Sequence, residues 1–512
     1  MDFILNHLLT FILFLPAASA IVLLLLPAKQ VKVIRWVALI LSLLPLVLTL
    51  VAWFRFNPVP DAANPFRFEE LLAWYPAIGS SYHLGVDGIS LPMVLLTTLL
   101  IPLAILASFS VTEKVKAYMI LFMLLETGVL GVFLSLDLLL FFVFWEIGLV
   151  PMYFLIAQWG GANRNYASLK FILFTMGGSL GLLLAIQMIG VITGSFDLPQ
   201  LFQMWPKLAD ASLFGLPTAT VKAIAFWAFV IAFAVKVPVW PFHTWLPDAH
   251  TEAPTAGSMI LAGVMLKLGA YGFLRLVLPL FPVEAQRFAP WLAALAVAAI
   301  IFGALSAFAQ KDFKRLVAYS SINHMGFVIL GIAAAAWAYG STDPAVVLSA
   351  NLALNGAVLQ MFNHGLSAAG MFFLVGVIYE QTHTRNLDDF GGLYAILPVY
   401  GTILLFTSMS SLGLPGLNGF VSEFLVVRGS WPIFTLATVL AMIGLFFTGA
   451  YILKALKLVL HGPLNQKWKG KLTDISTREI IVMAPLMALI LSLGIWPNWL
   501  LDMINQAVAF WY

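Results

Sequence analysis

The sequence predicts an all-α polytopic membrane protein with fourteen transmembrane helices, and composition and patterning carry that prediction. Of 512 residues, 62% are hydrophobic and 10% charged, against about 45–50% apolar and about 25% charged in soluble chains. Apolar runs long enough to cross about 30 Å of hydrocarbon recur from end to end, with no polar block between them. A water-soluble enzyme is thereby excluded. Cysteine is absent, which removes disulfides, thiolate zinc sites and cysteine-ligated iron–sulfur clusters and places electron transfer elsewhere. The net charge of +3 is spread over short loops, a pattern of membrane orientation and not of nucleic-acid binding.

The expected helices 1 to 14 lie near 3–26, 33–54, 88–110, 116–135, 138–158, 167–193, 221–246, 256–279, 289–309, 316–336, 346–378, 396–427, 431–460 and 478–501. They form a single membrane domain over 1–512: helices 1–3 in 1–110, a five-helix unit in 116–279, a second in 289–460, and a last helix in 478–512. The first run is too long for a cleaved signal peptide, and no basic residue precedes it between Met1 and Leu26. Loops after odd-numbered helices carry more than twice the Lys and Arg of the others, counting Lys314 among the former and Arg275 among the latter. The positive-inside bias therefore puts odd loops in the cytoplasm and both termini on the other side.

Charges inside spans are the functional candidates, because each is costly unless paired, hydrated or neutralised. These are Lys236, Lys267 and Lys454, with Glu126, Glu146, Glu423 and the edge residue Asp137, and the interior histidines His324 and His364. Any one of them alone reads equally well as a packing or ion-pair residue. So many along one chain, of both signs, favour function.

Lys236 and Lys267 stand 31 residues apart on helices 7 and 8, and Glu423 and Lys454 repeat that spacing five helices later. A five-helix unit used twice enters the membrane upside down the second time, giving two inverted repeats, about helices 4–8 and 9–13. Corresponding breaks strengthen the pattern. In helix 7, Pro238 and Pro241 remove two donors and are expected to leave the carbonyls of Ala234 and Val237 open. In helix 12, Pro415 lies among Gly413, Gly416 and Gly419, just before Glu423. Broken backbone in hydrocarbon is tolerated where protein covers it or it lines a wet cavity.

A lysine in a low-dielectric bundle is disfavoured in its ammonium form, and a nearby carboxylate reverses this, so the pair switches a proton on and off. Glu146, in helix 5, is the expected partner of Lys236. The expected order of the relay is Glu146, Lys236, Lys267, His324, His364, Glu423, a series of carboxylate, amine and imidazole groups suited to passing protons. Metal or haem ligation is disfavoured: His324 and His364 share no helix spacing, and His243 and His250 lie at a span end in a proline-rich stretch. No phosphate-cradling glycine loop is present.

The stretches 241–275 (PFHTWLPDAHTEAPTAGSMILAGVMLKLGAYGFLR), 311–328 (KDFKRLVAYSSINHMGFV), 363–376 (NHGLSAAGMFFLVG) and 414–426 (LPGLNGFVSEFLV) resemble the antiporter-like subunits of respiratory complex I over nearly the whole chain. Within that family the sequence is most similar to the subunit M branch. The resemblance implies a proton path through the broken helices and the positions of Glu146, Lys236, Lys267 and His324. It also implies a chain without a redox centre inside an NADH:quinone oxidoreductase, with NADH, FMN, iron–sulfur clusters and quinone in partner subunits. The implied partners are antiporter-like subunits L and N, the peripheral redox arm, the bilayer and protons, in a bacterial plasma membrane. Glu423 fits subunit M, where L and N usually carry lysine, and an end at Tyr512 leaves no room for the lateral helix of subunit L. The alternatives are a subunit of a multisubunit cation/proton antiporter or of a membrane-bound hydrogenase, and a passive scaffold.

Overall fold

The computed structural model describes residues 2–57, 65–210 and 212–509; the last residues of the expected segment 478–512 lie outside them. Thirteen helices among the described residues are long and apolar enough to cross a membrane. In chain order the helices used below are α1 Leu8–Leu25, α2 Val31–Arg55, α3 Ser90–Ala107, α4 Val115–Leu134, α5 Leu138–Ile147, α6 Leu149–Trp159, α7 Arg164–Thr193 and α8 Thr218–Lys236. They continue as α9 Trp245–Glu252, α10 Thr255–Leu280, α11 Pro282–Ala309, α12 Phe313–Trp337, α13 Pro344–Thr382, α14 Pro398–Leu412, α15 Asn418–Ser430, α16 Thr435–Val459 and α17 Thr477–Ile495. Helix α10 is wholly buried, whereas α2, α7, α16 and α17 turn most of their surface outward, as spans around a central helix in lipid must.

Both expected breaks are present. Helix α8 stops at Lys236 and α9 starts at Trp245, with Pro238 and Pro241 in the gap. The carbonyl of Ala234 does not stay open as expected: Val239 N–H donates to it at 2.7 Å, and the Trp245 indole donates to Val235 O at 2.8 Å. The irregular backbone is thus satisfied from within at Ala234 and Val235, whereas no hydrogen bond to Val237 O is formed among the described residues. The second break separates α14 from α15, with Pro415 between Gly413 and Gly416, whose φ of 84° and 93° favour glycine. A third break divides the expected helix 5 at Gly148, two residues after Glu146. Pro151, four residues after Ile147, cannot donate to that residue's carbonyl and marks the break, a local signal that the long apolar run masks.

The all-α expectation needs one correction. Residues 67–86 form an antiparallel hairpin, β1 Arg67–Tyr75 and β2 Ser80–Val86, pairing Leu71 with His83 and Leu72 with Tyr82. Its polar groups hold helix ends. Glu70 accepts from the Leu9 and Thr10 N–H groups at the start of α1 (2.7 and 3.1 Å). Asp137 caps α5 through Leu139 and Leu140 N–H and also accepts from Ser81 N–H at 2.9 Å. His83 Nδ1 lies 2.6 Å from Asp197 and Nε2 3.0 Å from Glu69.

Two charges assigned to loops are instead interior. Arg275 is 2% exposed and pairs with Asp87 at 2.6 Å. Lys314 is 6% exposed and donates to Ala253 O. Both sit near span ends, where sequence position alone does not separate a solvated charge from one turned inward.

Candidate proton path

Lys236, the last residue of α8, is buried, and its Nζ has no hydrogen-bond partner among the described residues. It lies over the rings of Trp145 (5.2 Å) and Phe171 (5.9 Å). The Trp145 ring is fixed by its indole bond to Ser179 Oγ at 2.9 Å. Cation–π attraction is strongest in desolvated sites like this one. The expected Glu146–Lys236 pair is not formed by direct contact: among the described residues Lys236 Nζ and Glu146 Oε1 are both buried without a hydrogen-bond partner. The ring of Trp145, the residue before Glu146, is what Lys236 Nζ meets.

The second lysine is brought close by glycines. A Cβ on Gly269 would stand 2.7 Å from Phe233 O and 3.0 Å from Lys236 Cβ, so α10 rests directly on α8. A Cβ on Gly365 would stand 2.8 Å from Gly263 O, so α13 crosses α10 equally closely. Lys267 sits between these contacts, wholly buried and just after the π-helical turn Leu261–Met265. Its Nζ donates to Ala262 O and meets His364 Nδ1 at 2.7 Å.

From His364 the series runs to His324, with ring centroids 5.7 Å apart, and then to Glu423, whose Oε1 lies 2.6 Å from His324 Nδ1. The expected order of the two histidines is therefore reversed: Lys267, His364, His324, Glu423. Helix α13 passes between α10 and α12 and puts its imidazole in the middle. Tyr451 OH approaches His324 Nε2 at 3.4 Å, and Gln360 Nε2 donates to Glu423 Oε1 at 2.9 Å. All four groups from Lys267 to Glu423 are at most 4% exposed.

Other residues fall outside the series. Asp137 is a helix cap, and Lys454 donates to Phe308 O (2.6 Å) and Gln310 O (3.1 Å) at the end of α11. Glu126 is buried in α4 without a hydrogen-bond partner among the described residues.

His250, set aside as a span-end residue, is fully buried. Its ring stacks on Phe372 at 4.3 Å and 6°, and its charged neighbours are Lys314 and Lys267. It stands on α9, immediately beyond the break that bares Lys236, and that placement was the signal available. Beside Lys314 opens a cavity of about 240 Å³ lined by Ser108, Tyr118, Glu252, Glu380 and Arg385 among others. Among the described residues no group of three His, Cys, Asp or Glu is placed to hold a metal.

Residues 135–448, more than half of the chain, match the family model described as NADH:quinone oxidoreductase/Mrp antiporter. The chain belongs to this family. Residues 71–136 match the model for the amino terminus of NADH-ubiquinone oxidoreductase chain 4, so the hairpin falls largely within a family segment. Among the relatives of this oxidoreductase/antiporter-family chain, the Rhodobacter capsulatus protein named NADH-quinone oxidoreductase subunit M is 41% identical, covering 98% of this chain and 96% of that one. A Synechococcus elongatus protein named NAD(P)H-quinone oxidoreductase chain 4 1 is 42% identical over 96% of this chain and 88% of its own length. Among solved structures, a chain of respiratory complex I from Thermus thermophilus with bound NADH superposes with a TM-score of 0.84 at 26% identity, covering 98% and 99% of the two chains. A chain of the Mrp complex from Dietzia sp. DQ12-45-1b gives 0.81 at 20% identity, covering 99% and 97%, and shares the fold.

Proposed function

We infer that this chain is the M-type, proton-translocating membrane subunit of a respiratory NADH:quinone oxidoreductase, working without a redox centre of its own. The observation that carries the inference is the buried file Lys267, His364, His324, Glu423, hydrogen-bonded at both ends and joined in the middle by two imidazoles whose ring centroids lie 5.7 Å apart, beside two helix breaks. In this reading Lys236 loads the file from its aromatic seat, with Glu146 setting its charge, and the file carries the proton to Glu423. Each transfer moves a proton between groups whose ionised form burial disfavours and a neighbour restores. NADH, FMN, iron–sulfur clusters and quinone reside in partner subunits.

The half-helices α14 and α15 together make up the twelfth crossing and bring the total to fourteen. Residues 116–279 and 289–460 are the two inverted units, in a membrane domain flanked by 1–110 and 478–512. Both termini lie on the non-cytoplasmic side of a bacterial inner membrane, beside L- and N-type neighbours and, through the assembly, the peripheral arm.

The test is made on the whole complex in proteoliposomes, comparing NADH oxidation with acidification driven by it. Lys267→Met and His324→Phe are expected to lower protons moved per NADH while subunit content stays unchanged. Unchanged pumping in both variants would refute the path.

A further inference from the structure

A carboxyl group has two oxygens, and those of Glu423 are held differently. Oε1 lies 2.6 Å from His324 Nδ1 and 2.9 Å from Gln360 Nε2. Oε2 is buried with no hydrogen-bond partner among the described residues. It lies 3.8 Å from the point where a Cβ on Gly413 would stand, at the break between α14 and α15.

The amide of Gln360 is oriented by a directed series of bonds. Asn363 Nδ2 donates to Asn418 O at 2.7 Å and to Ser422 Oγ at 3.0 Å. Ser422 Oγ in turn donates to Gln360 Oε1 at 2.5 Å. This leaves the NH2 group of Gln360 facing Glu423, since the reversed amide would set a carbonyl oxygen against a carboxylate oxygen. When His324 carries a proton on Nδ1, Oε1 faces two N–H donors that engage its lone pairs, and a proton resident on the carboxyl occupies Oε2.

We propose that Gln360 is a positioning residue for proton release: it holds Oε1 of Glu423 on the His324 side and so keeps Oε2 turned to the helix break, where the proton leaves. The step balances as a relay. A proton from His324 Nδ1 forms an O–H bond at Oε1 while the O–H bond at Oε2 breaks and its proton passes to water arriving at the break. The single and double C–O bonds exchange, and a half-turn of the carboxyl group, made while His324 Nδ1 is unprotonated, brings the protonated oxygen to the break and resets the site. Imidazolium becomes imidazole, water becomes hydronium, and the charge of the carboxyl group is unchanged. This rests on the proposed function, in which Glu423 ends the path.

The experiment uses the intact complex carrying Gln360→Met, an apolar side chain of similar length, with Glu423→Gln as the reference. Infrared difference spectra identify the Glu423 band as the one lost in Glu423→Gln. Gln360→Met is expected to shift that band and to lower the pumping rate about five-fold, the scale of one lost hydrogen bond between neutral groups. Ser422→Ala, which removes the orienting hydroxyl, is expected to shift the band in the same direction with a smaller loss, and it decides the matter if Gln360→Met does not assemble. An unmoved band in an assembled variant overturns the proposal, because a packing role alone changes yield and leaves the carboxyl group's surroundings intact. Normal pumping by Glu423→Gln overturns the path and this proposal together; a silent Glu423→Gln with an unmoved band overturns the role of Gln360 alone.

Discussion

Raising the pH should loosen the hairpin from the helices it braces. His83 on β2 lies between Asp197 Oδ2 at 2.6 Å and Glu69 Oε2 at 3.0 Å. Burial pulls its pKa down, but the hydrogen bonds and charges of Asp197 and Glu69 outweigh this and hold it at about 9, above the ordinary 6.5. A folded pKa above the free value means that the contribution is complete below about pH 6.5 and is lost as pH rises through about 9. At 1.36 kcal/mol per unit the shift corresponds to about 3 kcal/mol, and solvent screening at the rim of the fold reduces it to about 1–2 kcal/mol. That is a factor of about 5–30 in the closed-to-open ratio. Because the chain has no cysteine, spin labels at Leu72→Cys on β1 and at Gln203→Cys on the short helix Leu198–Met204, which Asp197 caps, report one distance within this chain without background. The distribution should be narrow at pH 6 and broaden by pH 10, whereas His83→Gln should be broad at both. A distribution that is the same at pH 6 and pH 10, or pH dependence surviving in His83→Gln, would refute the reasoning.

Breaking the Asp87–Arg275 pair, in which both side chains are 1% exposed, strands a buried charge, so Arg275→Met should destabilise the fold by about 3–5 kcal/mol. Adding Asp87→Asn should restore much of that, as a double-mutant cycle of unfolding free energies would register. A Cβ on Gly128 would stand 2.6 Å from Gly148 N, whereas one on Gly148 would meet nothing nearer than 3.7 Å. Gly128→Ala should therefore cost about 1–3 kcal/mol in stability measurements, and Gly148→Ala should show no such clash. Lys454→Met removes two bonds to carbonyls at the end of α11; a loss of about 0.3–1 kcal/mol is expected, with proton pumping in proteoliposomes equal to that of the unmodified complex.

Hydropathy made nearly every span legible, because thirteen helices owe their length to apolar runs that only a membrane or a core admits. The breaks beside Lys236 and Glu423 were legible because proline and glycine act locally on the backbone. The order of the histidines was not. His324 and His364 lie on different helices, and which imidazole meets Lys267 depends on how closely α13 crosses α10 at Gly263 and Gly365. Arg275 and Lys314 were misplaced for a similar reason: a charge at a span end is solvated or buried according to partners such as Asp87 that the local sequence does not show. The hairpin escaped notice because its first strand alternates weakly and carries two adjacent glutamates, Glu69 paired with His83 on the facing strand and Glu70 with the start of α1, partners that the local sequence does not show.

Helix α10 is enclosed by protein on every side and is among the least apolar of the spans. It also carries Lys267 and Arg275, each unfavourable in hydrocarbon when alone. A segment of this kind is a poor candidate for entering lipid by itself as it leaves the ribosome. Its partners on α13 are made about a hundred residues later, so during synthesis Lys267 must wait for His364. The helix that supplies Lys267 is thus expected to reach its resting place only after α13 has been made. Truncated nascent chains that end before α13 should leave it exposed to quality-control proteases.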